Sequence, residues 1–112
     1  LISITDPNSE LAKLSADWKD VLRVSFPDCG DPMIAEQVRA IRHFIEHHYN
    51  RNIFAHCEGG YSRSAGIREY LLRKGWELSS PAQANRVVFP NSGVISQLQG
   101  RDYQWPMAKN KE

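Results

Sequence analysis

Cysteine is scarce in this chain. Only Cys29 and Cys57 occur in 112 residues, which excludes the dense disulfide framework of small secreted domains. Long apolar runs are missing as well: no stretch approaches the ~18 continuous apolar residues of a membrane-spanning helix. The opening Leu1-Ile2-Ser3-Ile4-Thr5-Asp6-Pro7 lacks the basic start and extended apolar core of a secretory signal peptide. Nor is there an excess of charge of either sign. Fourteen Lys and Arg stand against thirteen Asp and Glu, a net charge of +1, so neither an acidic polymer nor a membrane surface is implied as a partner. The composition that remains, 41% hydrophobic and 24% charged, is that of a soluble globular protein. A single domain over 1–112, able to bury a real core, is expected at this length.

Against that plain background, His56-Cys57-Glu58-Gly59-Gly60-Tyr61-Ser62-Arg63-Ser64 stands out. Asn52 to Ala55 read as the end of a buried strand. From Ser64 onward the chain reads as a helix, with Ile67, Tyr70, Leu71 and Lys74 spaced for one face. Gly59 and Gly60 let the backbone between them curl until successive N–H groups point inward, and such a nest at a helix N-terminus binds a tetrahedral anion. The same field favours Cys57 as a thiolate, since thiols at helix N-termini or beside cations reach pKa values of roughly 3.5 to 7.5. Arg63 offers a planar fork for two anion oxygens, and Ser64 places a hydroxyl close to the sulfur. The plain alternative is a buried structural cysteine with a surface arginine. The preceding histidine, the glycine pair, the serine after the arginine and the strand-to-helix context favour the phosphate loop.

His-Cys-x5-Arg-Ser resembles the signature loop of the cysteine-dependent protein tyrosine phosphatases, and Gly60-Tyr61-Ser62-Arg63-Ser64 is especially similar to their dual-specificity branch. The resemblance implies a nucleophilic Cys57 and a phosphocysteine intermediate. It also implies that Arg63 binds the phosphoryl oxygens, and that the Ser64 hydroxyl helps the thiolate leave. Glu58, Gly59, Gly60, Tyr61 and Ser62 would cradle the substrate phosphate with Arg63. His56 would hold the loop and tune the thiolate. Upstream, Phe26-Pro27-Asp28 resembles the family's Trp-Pro-Asp loop and makes Asp28 the general acid that protonates the leaving oxygen. Asp31 competes for that role, but Asp31-Pro32 before an apolar-periodic run reads as a helix N-cap and N1 proline. Downstream, Arg86-Val87-Val88-Phe89-Pro90-Asn91-Ser92-Gly93-Val94-Ile95-Ser96-Gln97-Leu98 resembles the segment that opens the family's last helix. There the asparagine, Asn91 here, buttresses the phosphate loop from behind. Val94 replaces the usual Phe. The resemblance weakens after Arg63: Arg68 and Glu69 stand where alkyl groups are usual, and the stretch to Pro90 is shorter by about one helical turn, ~3.6 residues.

The rest of the chain organises around these segments. Leu1 to Thr5 read as a strand, followed by an Asp6-Pro7-Asn8 turn, and Ser9 as the cap of a short helix carrying Leu11, Leu14 and Trp18. Val21 to Phe26 form a second strand. A long helix is expected over Pro32 to about Tyr49, with Ile34, Val38, Ile41, Ile45 and His48 on one stripe. Strands alternating with helices point to an α/β fold: a central, parallel-rich sheet flanked by helices, the phosphate loop lying between a central strand and a helix. Residues 101–112 read as a polar, frayed tail. Family relatives generally carry another strand or more before the first matched segment, so a trimmed chain and an ordered portion of a longer one both remain open.

Other residues invite bolder readings. His43 and His47 stand four apart on a helix, with His48 next to them, but the set lacks a clear third ligand and a carboxylate motif, so no metal and no cofactor is expected. Trp18, Trp76 and Trp105 read as packing residues, and no basic stripe supports nucleic-acid stacking. Cys29 beside the acid loop raises a protective Cys29–Cys57 disulfide as a hypothesis. Because that pairing would consume the nucleophile, a reducing, cytoplasmic setting is the expectation. The expected partner is a phosphorylated protein or peptide, with no membrane and no nucleic acid, and the chain is expected to be a monomer. The substrate would be phosphotyrosine, with phosphoserine and phosphothreonine open. A sulfurtransferase or arsenate reductase is the rival enzyme, and a non-catalytic phosphoprotein-binding module the rival outside enzymology.

Overall fold

The computed structural model describes residues 1–30, 32–78 and 87–100. Strand β1 (Ile2–Thr5) lies in the middle of a three-stranded parallel sheet, between β2 (Leu22–Ser25) and β3 (Ala55–His56). Ile2 through Thr5 of β1 pair with Leu22 through Ser25, and Ile2 and Ser3 also pair with Ala55 and His56. Every residue of β1 is buried, as expected of a parallel strand covered on both faces. Ile2 and Ile4 therefore feed one face of the core, while Thr5 uses its hydroxyl to meet Ser25 Oγ at 2.9 Å.

Three helices complete the described chain: α1 (Ala35–His47), α2 (Arg63–Arg73) and α3 (Ser92–Gln99). Helix α3 packs on both α1 and α2, and α2 also packs on β3. Their buried side chains, Ile41 and Ile45 of α1, Ile67 and Leu71 of α2, Val94 and Leu98 of α3, share one cluster with Ile2, Ile4 and Phe26. Each such side chain stabilises the fold by roughly 1.5–3 kcal/mol relative to exposure. On α2, Ile67, Tyr70 and Leu71 are buried as their spacing requires, whereas Lys74 caps the helix in solvent. Arg68 and Glu69 are half-buried. No helix among the described residues is long and apolar enough to cross a membrane.

The α/β class is the one expected, and several details differ. The strand that ends at Cys57 flanks β1 rather than occupying the middle of the described sheet. Residues 10–15 carry no helix: Leu11 is 56% exposed, Leu14 is half-buried, and the turn before the segment closes through Ser9 N–H to the Asp6 carbonyl. Helix α1 begins at Ala35 with Ile34 at the N-cap, three residues beyond the expected Asp31-Pro32 start. Here Gln97 intervenes. Its side-chain amide accepts the Met33 N–H at 3.0 Å and donates to the Met33 carbonyl at 2.7 Å, holding that segment extended against α3. Gln37 then accepts the Ile34 N–H at 3.1 Å and donates to the Ser25 carbonyl at 2.6 Å, fastening the helix start to the end of β2. Ile34, ahead of the helix, leaves the predicted stripe and is exposed. Asp31, Arg86, Trp105 and the 101–112 tail lie outside the described residues.

His43 and His47 stack with ring centroids 4.0 Å apart, and His48 reaches the Phe44 carbonyl and Asp20. At Gly93, a Cβ would collide with the carbonyl of Gly30, so only glycine lets the first turn of α3 abut the segment after β2. Gly93→Ala should lower stability in urea unfolding by about 1–3 kcal/mol, the range for overpacking. Gly30→Ala, which points into open space, should stay within about 0.5 kcal/mol.

Candidate active site

Each strand of the sheet delivers its next residues to one place. Asp6 follows β1, Phe26 to Asp28 follow β2, and Cys57 follows β3. Parallel strands present their carboxyl ends on the same edge, where ligands of such sheets bind. The turn from β3 into α2 is made by residues 57–62, with Gly60 at φ +71°, a left-handed conformation that a side chain would resist.

Cys57 is buried at the N-terminus of α2. Its Sγ lies 3.2 Å from Ser64 Oγ, and the Ser64 amide donates to it at 3.4 Å. Burial pushes the thiol up. The Ser64 hydroxyl and the amides of Ser64, Gly60 and Ser62 outweigh that penalty by stabilising the thiolate, so the net pKa is below the ordinary thiol value. The curled loop expected from the glycine pair is therefore present, with amides converging on the sulfur.

Arg63 is also buried, and its Nη1 is committed to the protein. It donates to Asp6 Oδ1 at 2.6 Å and to the Phe26 carbonyl at 2.8 Å. Nε is buried with no partner among the described residues. An unmatched buried donor costs about 1–3 kcal/mol, so this edge of the guanidinium is suited to receive an anion oxygen. The fork is thus half used for anchoring. Asp6 is the functional residue that sequence reasoning missed, having been read as a turn residue. Its signal was its place directly after a parallel strand.

Asp28 stands across the loop. Its Oδ1 accepts from Ser62 Oγ at 2.7 Å and from Asn91 Nδ2 at 2.6 Å. The Ser62 hydroxyl holds the carboxyl below its ordinary value; slight desolvation opposes this, and Asn91 and the Arg63 charge reinforce it. Asn91 acts on two loops at once. Its backbone N–H donates to the Ser62 carbonyl at 3.0 Å, while its side chain holds Asp28 and the Cys29 carbonyl. Its Oδ1 caps α3 by accepting the Val94 N–H at 3.0 Å.

The remaining sequence candidates are placed less directly. Glu58 turns its carboxylate toward the Asp6 amide at 3.4 Å, and Tyr61 is exposed, with its ring beside Gly59 and its carbonyl accepting the Phe89 N–H. His56 Nε2 is buried without a partner among the described residues. Cys29 is exposed and free. Among the described residues no group of three or more His, Cys, Asp or Glu is placed to hold a metal ion.

No protein-family model and no curated protein matches the sequence. Among solved structures, the chain is similar to a human tyrosine phosphatase-like serine/threonine/tyrosine-interacting protein, with a TM-score of 0.59 and 18% identity over 90% of this chain and 74% of that one. At that identity the likeness is one of fold: the chain has a tyrosine phosphatase-like scaffold.

Two outcomes follow from the geometry. In a Cys29→Ser background, alkylation of Cys57 followed against pH should show a midpoint below that of the unfolded chain, and Ser64→Ala should move it upward. Asp6→Ala should weaken the protection that phosphate gives Cys57 against alkylation. It should also lower stability by about 1–2 kcal/mol in urea, less than a fully buried pair because Asp6 is partly screened by solvent.

Proposed function

We propose that this protein is a cysteine-dependent phosphatase that hydrolyses phosphotyrosine in a protein or peptide, with phosphoserine and phosphothreonine as further candidate substrates. The observation that carries this reading is the placement of Cys57 Sγ under the amides of Gly60, Ser62 and Ser64, in a loop whose Ser62 hydroxyl also holds the Asp28 carboxylate. The tyrosine phosphatase-like scaffold supports it. A reducing, cytoplasmic compartment suits a nucleophile that must stay a thiolate, and a monomer suffices because the site is built within one chain.

In this reading the Cys57 thiolate attacks phosphorus and forms the S–P bond as the P–O bond breaks. Arg63 Nε and the loop amides take up the charge of the equatorial oxygens. Asp28 gives its proton to the leaving oxygen, then receives one from the water that cleaves the phosphocysteine. At rest the carboxyl of Asp28 is held low, the direction that suits the second step. A dianionic phosphate ester beside it raises its proton affinity by like-charge repulsion, which serves the first. Ser64, close to the sulfur, stabilises the departing thiolate.

That resting state also favours a second reading: a module that binds a phosphorylated residue without turnover. Aryl phosphate hydrolysis in EDTA and reductant, across pH 5 to 8, separates the two. Wild type should turn over while Cys57→Ser is silent. Asp28→Ala should lose roughly 10²–10⁴-fold, most with poor leaving groups. A folded wild type that binds phosphate but releases none from an ester would select the recognition module.

A further inference from the structure

The acid-bearing segment has no regular structure of its own, and Asp28 is exposed, yet its carboxylate is held by two short hydrogen bonds from different parts of the chain. Ser62 belongs to the phosphate loop and Asn91 to the cap of α3. Ser62 was expected to cradle the anion. Its amide faces Cys57, its hydroxyl points at Asp28 Oδ1, and its carbonyl accepts the Asn91 amide, so Ser62, Asp28 and Asn91 form a closed ring of contacts. Asn91 is itself immobilised. Its Oδ1 is used by Val94, its carbonyl by Ile95, and its Nδ2 also reaches the Cys29 carbonyl at 3.2 Å. Two positions further on, Gly93 lets this helix turn lie against Gly30. The segment is therefore stitched to α3 at three consecutive residues: Asp28, Cys29 and Gly30.

We propose that Ser62 and Asn91 are positioning residues that clamp Asp28 through Oδ1, leaving Oδ2 as the oxygen that carries the transferable proton. The inference rests on the phosphatase reading above. Oδ1 already accepts two hydrogen bonds, so a proton on the carboxyl resides on Oδ2, which accepts none among the described residues. In the first step the Oδ2–H bond breaks and the leaving oxygen gains the proton together with the P–O electron pair, as sulfur bonds to phosphorus. In the second, water gives a proton to Oδ2 as its oxygen bonds to phosphorus, and the P–S pair returns to Cys57. The clamp fixes which oxygen faces the leaving group, and a defined orientation of the acid is worth more as the leaving group becomes more basic. Arg63 is the charged neighbour acting on Asp28, and it remains in place in every variant considered below.

The test uses Ser62→Ala, Asn91→Ser and the pair, each in wild-type and Asp28→Ala backgrounds. Serine at 91 still offers an oxygen to cap α3 but no amide donor to Asp28, which separates structure from positioning. Phenyl phosphate supplies a basic leaving group and p-nitrophenyl phosphate an activated one. Each single variant should lower kcat for phenyl phosphate roughly tenfold, the scale of one hydrogen bond to a charged group, while p-nitrophenyl phosphate falls no more than about threefold. KM and Cys57 alkylation should hold, and neither variant should cost further activity once Asp28 is alanine. Equal losses on both esters, or further losses in the Asp28→Ala background, overturn the clamp alone. A wild type that hydrolyses neither ester overturns the phosphatase reading, and the clamp falls with it.

Discussion

The buried guanidinium of Arg63 ties together everything at the carboxyl edge of the sheet. One nitrogen, Nη1, serves the Asp6 carboxylate beyond β1 and the Phe26 carbonyl beyond β2, and Arg63 itself opens the helix that follows β3. Three chain segments that diverge after leaving the sheet are thereby pulled to one point. A guanidinium suits this because it is always charged and carries five donors in a rigid plane, so some can anchor while others stay available. Burying that charge is tolerable only because a carboxylate and a carbonyl accompany it. Nε, without a partner among the described residues, leaves the same side chain a donor to spare for the anion of the proposed reaction.

The electrostatics of the site are of two kinds that meet there. Amides and a hydroxyl stabilise negative charge on Cys57, overcoming the burial that would keep it neutral. Beside them, hydrogen-bond donors stabilise negative charge on Asp28. Two anion-favouring environments so close together are balanced by the N-terminus of α2 and by Arg63. A phosphorylated substrate would add two further charges to that field. Its arrival would push the Asp28 carboxyl toward its protonated form while Arg63 and the amides keep the phosphate bound. In the proposed reaction, phosphate binding and the protonation state of Asp28 would therefore be coupled through ordinary Coulombic interaction.

The curled turn between β3 and α2 was legible because its determinants are local. Cys57, the glycines, Arg63 and Ser64 are contiguous, and a strand running into a helix is visible in side-chain periodicity. Helix α2 began within one residue of its expected start. The start of α1 was misread because Asp31-Pro32 satisfies every local rule for a helix start, yet Gln97, 64 residues away from Met33, holds the chain extended there. The short helix expected after Ser9 did not form: Leu11 lies in solvent, and Trp18 packs edge-on against Phe54 from a non-helical segment. Asp6 went unrecognised because an Asp-Pro-Asn turn looks the same whether or not a buried arginine lies behind it.

By itself the sequence determined the alternation of strands and helices, the buried periodic faces of α1 and α2, and the curl of the loop between Cys57 and Arg63. These depend on φ/ψ preferences and on burial patterns read over a few residues. The tertiary structure alone decided which carboxylate pairs with Arg63, which oxygen of Asp28 is held, and that Asn91 serves the acid segment as well as the phosphate loop. Those contacts join residues 29 to 63 positions apart. No local rule reaches that far, because a hydrogen bond depends on distance in space, and the parallel sheet sets those distances by bringing remote strand ends to a common edge.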